Sequence, residues 1–201
     1  MQIDTEHLHY WMCAIRESQN PMRTLDAFWR GQIRSKEWLI ENLQSLITDP
    51  VNIEIHGGWV GVLASMLFQS EIPVNHITSI DIDPECEPIA TMMNKLEEID
   101  GRFRAEIADM TTYRSHADVV INTSCEHITQ EQYDHWLAGI PDTSIIVLQS
   151  NNYFIEEHVR PALDFNDFIE QSNLELLKFG ELPTEKYTRY MIIGKKPNVQ
   201  I

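Results

Sequence analysis

From Val51 onward, short apolar runs of β type alternate with segments whose apolar residues recur at helical spacing. Val51–Ile55, His76–Ile82, Arg104–Ala108, Asp118–Asn122 and Ser144–Gln149 read as strands. "DVVI" and "SIIVL" are continuous apolar runs, as in strands covered on both faces. Between these runs the period predicts helices at Val60–Gln69, Glu87–Ile99 and Gln130–Leu137, the last opened by a capping box of Thr129 and Gln132. Strands and helices alternating at this length build a parallel sheet through right-handed crossovers. A mixed helical segment, Glu156–Ser172, follows. Then "LELLKFG" and "KYTRYMIIGKK" flank "ELPTE" with no helix between them, which predicts a closing antiparallel hairpin.

Residues 1–48 read differently. "HLHYWMCAIRES" and "SKEWLIENLQSLI" carry apolar groups at helical spacing, with Ser35 placed to cap the second helix. Breaks are expected at Gln19–Pro21 and Arg30–Gln32.

Charge narrows the partners. A net charge of −16 repels phosphate backbones and argues against a broad nucleic-acid surface. Arg30, Arg34 and Lys36 form the densest positive segment, read as a solvated helix face in preference to an anion site. No apolar run approaches the roughly 20 residues that span a membrane. The start "MQIDTEHLHYWM" lacks a signal-peptide pattern, and three cysteines form no disulfide framework. A cytoplasmic location and a small-molecule substrate are therefore expected, with no membrane partner; no signal sets an oligomeric state.

In an open parallel sheet, ligands bind beyond the carboxyl ends of the strands. Those ends read "EIHGGWVG", "DIDPE", "DMTT", "NTSCEH" and "QSNNYF", all polar and four of them carrying carboxylates. In the first, Gly57 and Gly58 permit close backbone approach, and Glu54 is placed to bond a ligand ammonium or to fix the loop. By itself that loop is equally a tight turn. Asp81 follows Gly61 by about 20 residues, the distance at which a βαβ unit delivers an acid to ribose hydroxyls. Asp83–Pro84 reads as N-cap plus first helical residue, leaving Asp81 as the ligand acid beside Ile82. Asp109 and Met110 are suited to the amino edge and face of an adenine, although Met110 taken alone reads more readily as a core residue.

The order "NIEIHGGWVG", "ITSIDIDPE", "AEIADM", "ADVVINTSCEH", "SIIVLQSNN" resembles the class I S-adenosylmethionine-dependent methyltransferases. The resemblance covers roughly residues 50–195. It implies an α/β, Rossmann-like, doubly wound sheet of about seven strands, mostly parallel with a C-terminal antiparallel hairpin. It also implies a division into an N-terminal helical cap, 1–48, and an S-adenosylmethionine-binding domain, 49–201, as one structural unit. The cofactor roles it implies fall on Gly57, Gly58, Asp81, Asp109 and Met110, with Trp29, Gln32, Arg34 and Ser35 of the cap approaching the site; Glu54, His56, Trp59, Ile82 and Asn122 complete the candidate cofactor-binding set. The sequence departs from the family's acid–x–Gly–x–Gly–x–Gly pattern: His56 and Val60 occupy the first and third glycine positions.

For the reacting centre the candidates are Asn122, Glu126, His127, Asn151 and Tyr153. Asn122 suits an acceptor amine or the methionine portion, and Glu126 or His127 suits the acceptor's proton. His158 and Arg160 are placed to complete the pocket, with Arg160 equally suited to a surface ion pair, and Tyr187 and Arg189 of the hairpin either close over the site or pack on the last helix. Cys125 reads as a small buried residue more readily than as a nucleophile. Cys125, Glu126 and His127 are too close together for the usual metal spacing, so no metal is expected.

The function expected is methyl transfer from S-adenosylmethionine to a small polar molecule. The alternative keeps the cofactor but transfers or cyclises its aminocarboxypropyl group, releasing methylthioadenosine. A nicotinamide-dependent oxidoreductase is disfavoured by the missing G-x-G-x-x-G and by the hairpin. A non-catalytic binding domain on the same fold is the remaining class.

Overall fold

The structure is a computed structural model that describes residues 4–197. Residues 1–3 and 198–201, which begin the expected cap and end the expected sheet domain, lie outside the described residues. The chain forms two compact units, residues 1–110 and 111–201.

The first unit opens with three helices, α1 (Thr5–Glu17), α2 (Pro21–Asp26) and α3 (Arg30–Gln44). Asp4 caps α1 by accepting from the Glu6 N–H, and Asn20 caps α2 by accepting from the Arg23 N–H, with Pro21 in the first turn. The break expected at Arg30–Gln32 falls earlier, because α3 starts at Arg30 with Trp29 as its N-cap. Ser35 therefore lies inside α3, buried, and is not its N-cap. Then come β1 (Val51–His56), α4 (Val62–Phe68), β2 (Val74–Asp81), α5 (Cys86–Met93), α6 (Lys95–Ile99) and β3 (Phe103–Ile107). β2 pairs in parallel with β1 on one side and β3 on the other, aligning Ile53 with Ile77 and Asp81 with Ile107. α1 packs on α5, and its Trp11 donates the indole N–H to Ser65 Oγ of α4 at 3.0 Å.

The continuous helix expected over Glu87–Ile99 is two helices. Asn94 separates them, and its buried amide donates to the carbonyls of Ala90 (2.9 Å) and Gly61 (3.1 Å). An asparagine that bonds backbone carbonyls competes with the helical ladder, a local effect that apolar periodicity does not register.

The second unit holds β4 (Val119–Asn122), a 3₁₀ turn (Cys125–His127), α7 (Gln130–Ala138), β5 (Ile145–Asn151), α8 (Phe165–Ser172), β6 (Glu175–Pro183) and β7 (Thr188–Lys195). Both bonds of the Thr129–Gln132 capping box are present at the start of α7. The segment expected as mixed helix from Glu156 is helical only from Phe165, where Asp164 caps α8. β4 and β5 are parallel; β7 is antiparallel to both β5 and β6. The strands form one seven-stranded sheet in the order β3-β2-β1-β4-β5-β7-β6. That is the mostly parallel sheet with an antiparallel hairpin that the sequence led us to expect. No helix among the described residues is long and apolar enough to cross a membrane.

Candidate functional site

In the first unit the polar residues cluster where the parallel strands end. At the end of β1, Glu54 and His56 are both buried, with His56 Nε2 3.3 Å from Glu54 Oε2. The chain then turns back on β2, since Gly57 and Gly58 both donate their N–H groups to the Ile80 carbonyl, at 2.8 and 2.9 Å. Those two donors thus serve the turn itself. Gly57 has φ +70° and Gly61 φ +79°. A Cβ on Gly58 would lie 2.0 Å from Ser79 Oγ, so the absence of a side chain lets the loop lie against β2. Trp59 takes a left-handed φ of +49°, uncommon for a bulky residue.

Asp81 holds this loop in place. Its Oδ2 accepts from the Trp59 N–H at 2.8 Å and its Oδ1 from the Asp83 N–H at 3.0 Å. A carboxylate offers about four acceptor positions, so each oxygen retains capacity for a ligand hydroxyl. Beside it, Ile82 is 67% exposed, and Ile107 at the end of β3 is 57% exposed. Asp109 is exposed and Met110 half-buried immediately beyond β3. An acid flanked by exposed aliphatic side chains can take a sugar edge and an apolar ring face together. Asp83 acts in the turn: Glu85 N–H and then the Arg23 guanidinium, at 2.5 Å, hold its carboxyl below the usual range. The helix, expected from Pro84 by the cap pattern or from Glu87 by its period, starts at Cys86 with Glu85 as N-cap.

Two of the N-terminal residues named above, Trp29 and Gln32, have local partners. Trp29 is exposed and donates its indole N–H to Asp26 Oδ1 at 2.7 Å, while Gln32 Oε1 accepts from Lys36 Nζ at 3.0 Å.

In the second unit, Asn122 ends β4 fully buried and accepts from the Ser124 N–H at 2.9 Å. The 3₁₀ turn then brings Glu126 inward, only 3% exposed. Glu126 Oε1 accepts from Asn151 Nδ2 at 2.5 Å and from Arg189 Nη1 at 2.9 Å. Glu126 Oε2 is buried with no hydrogen-bond partner. Asn151 Oδ1 accepts from the Tyr153 N–H at 2.9 Å, and the Tyr153 ring lies 5.5 Å from that of Tyr187. Tyr187 thus meets the loop after β5, and Arg189 the loop after β4. Arg160 is less available to a substrate than its sequence position implies. It is buried, donates to Gln130 Oε1 (2.5 Å) and the Cys125 carbonyl (3.3 Å), and lies over the Tyr133 ring. Burial pushes the Cys125 thiol up to about 12, consistent with a packed residue and not with a thiolate nucleophile. What sequence reasoning missed is the Glu126–Arg189 ion pair, whose partners lie far apart in the chain with no local pattern to join them.

No protein-family model and no curated protein sequence matches the chain. Solved structures do share its architecture. N-methyltransferase NodS from Bradyrhizobium japonicum WM9, in complex with S-adenosyl-L-homocysteine, is 13% identical at a TM-score of 0.68, covering 94% of this chain and 99% of that one. Magnesium protoporphyrin IX methyltransferase (ChlM) from Synechocystis PCC 6803, with bound SAH, is 14% identical at a TM-score of 0.65, covering 94% of each chain. The [4+2]-cyclase SpnF is 11% identical at a TM-score of 0.63, covering 82% of this chain and 81% of that one. At such identities the likeness is one of architecture. The chain has the class I S-adenosylmethionine-dependent methyltransferase fold.

Proposed function

We propose that this protein is an enzyme that binds S-adenosylmethionine and transfers its methyl group to a small polar molecule. The observation that carries the reading is Asp81, an acid at the end of β2 with acceptor capacity left on both oxygens and exposed Ile82 beside it. On this reading Asp81 takes the ribose hydroxyls, while Ile82, Met110 and Asp109 receive the adenine. Gly57, Gly58 and Trp59 border the methionine portion, with Glu54 and His56 supporting that loop from beneath. Bound S-adenosylmethionine supplies an electrophilic methyl on a sulfonium, so much of the catalysis reduces to aligning an attacking atom. In the second unit Asn122, Asn151 and Tyr153 supply neutral donors and acceptors for a polar acceptor, and His127, when no ion takes its lone pair, is the exposed base. The acidic balance of the chain favours a small acceptor over a nucleic acid.

The test is thermal unfolding with S-adenosylhomocysteine or NAD, followed by product analysis with labelled cofactor. A ligand that binds only the folded chain raises the midpoint. A shift with S-adenosylhomocysteine but not NAD is expected, and its absence overturns the reading. Methyl transfer yields S-adenosylhomocysteine; methylthioadenosine would instead identify aminocarboxypropyl chemistry. That second possibility is motivated by the first loop, where His56 replaces a glycine and Trp59 is left-handed.

A further inference from the structure

We propose that Glu126, His127 and His158 bind a divalent transition-metal ion. The ligand atoms these three residues offer all lie within 4.8 Å of one another, and the two imidazoles meet edge to face with centroids 4.8 Å apart. Three observations converge on the same point.

The first is the state of Glu126. Its Oε1 is fully engaged by Asn151 and Arg189, whereas Oε2, in a residue 3% exposed, has no partner. A buried carboxylate oxygen without a donor is costly, and a metal ion satisfies it directly. The second is the pair of imidazoles. His127 Nδ1 lies 3.1 Å from the Glu157 carbonyl, and His158 Nδ1 lies 2.6 Å from the Tyr153 carbonyl. A carbonyl only accepts, so in the neutral imidazole each Nδ1 carries the proton and each Nε2 keeps its lone pair. A backbone carbonyl holding the far nitrogen of a ligating histidine is the usual support of a metal site. The third is exposure: Glu126 is buried, His158 half-buried and His127 exposed, which gives an ion a path inward.

Metal–nitrogen and metal–oxygen bonds of roughly 2.0–2.2 Å require ligand atoms about 3.4 Å apart in a tetrahedral arrangement. Closure from a spacing of up to 4.8 Å needs at most about 1.4 Å of approach, which the two more accessible histidines can supply. Two imidazoles and one carboxylate leave coordination positions open, a donor set suited to zinc or ferrous iron. The sequence expectation of no metal rested on Cys125, Glu126 and His127 alone. The structure replaces Cys125, whose Sγ faces the Asn122 carbonyl at 3.6 Å, with His158 from the loop after β5. If the methyl-transfer reading also holds, an open position would take an oxygen or nitrogen of the acceptor. That added role rests on the earlier reading; the metal site does not.

The experiment titrates tag-free, chelator-treated protein with Co²⁺, following visible absorption, and compares wild type with His127→Ala and His158→Ala. One equivalent is expected to bind wild type, with affinity falling at least tenfold in each variant. His135→Ala, on the exposed side of α7, is expected to bind as wild type does. Zn²⁺ is expected to raise the unfolding midpoint of wild type and to do so less in either site variant. Failure of wild type to bind Co²⁺, or equal binding by the site variants, overturns the proposal. Because absorption reports the ion without turnover, a protein that binds Co²⁺ but not S-adenosylhomocysteine keeps the metal site and loses the methyltransferase reading. The reverse result separates them the other way.

Discussion

Arg189 of β7 sets one guanidinium nitrogen 2.9 Å from Glu126 Oε1 and the other 2.5 Å from the Thr123 carbonyl. Both side chains are buried, at 9% and 4% exposure. Removing one partner of such a pair strands the other charge away from water, at a cost of about 3–5 kcal/mol. Arg189→Met is expected to lower the unfolding free energy obtained from urea titration by an amount in that range. The Glu126→Gln/Arg189→Met double variant should lose less than the sum of the two single losses.

Gly58 is expected to tolerate no side chain. A Cβ there meets Ser79 Oγ at 2.0 Å and Ser79 Cβ at 3.3 Å, so Gly58→Ala should destabilise by about 1–3 kcal/mol. Adding Ser79→Ala removes the closer atom. Partial recovery of the thermal midpoint in the double variant would identify this contact as the cause.

Much of the fold was legible in the sequence because its signals are local and periodic. The apolar runs of β1, β2, β4 and β5 located the strands to within a few residues, and the Thr129–Gln132 box located the start of α7. Errors arose where one side chain overrides the period. Asn94 divides a helix through two carbonyl bonds, and α3 runs back past Ser35 to Arg30. At the candidate site, Asp81 was legible from its spacing to the glycine loop. Glu126 was legible as a residue but not in its setting. Its partners come from β5 and β7, and only the folded strand order brings Asn151 and Arg189 to it.

Asp81 makes a separate prediction about ligand binding. Asp81→Ala removes the acceptor of two loop N–H groups and of the proposed ribose contact. Calorimetry with S-adenosylhomocysteine should show affinity reduced by roughly tenfold to a hundredfold, as expected for hydrogen bonds to a charged group. Asp81→Asn retains one acceptor oxygen and should fall between wild type and the alanine variant. Unchanged affinity in Asp81→Ala would argue that the nucleoside lies elsewhere.

The cysteines give a pH-dependent test. Cys86 is 1% exposed, and burial, followed by the nearby Asp81 and Asp83 charges, pushes its thiol from 9.0 up to about 12. A raised folded-state value means the unfolded chain releases the proton first. The thiol's contribution to stability is therefore complete below about pH 9 and is lost as pH rises towards 12. Urea midpoints measured at pH 8 and pH 10.5 should fall more in wild type than in Cys86→Ala. In native protein at pH 8, Cys13 should react with a disulfide reagent well before the buried Cys86 and Cys125.

The two hydrogen bonds that Asp81 accepts have a thermodynamic consequence. Because the Trp59 and Asp83 N–H groups are already tied to this carboxylate, the loop after β1 and the turn after β2 have lost their freedom during folding. A nucleoside arriving there has little chain left to order, and its binding free energy is not offset by that entropy. Association should then be fast and nearly rigid-body in the first unit, with the free and bound backbones alike.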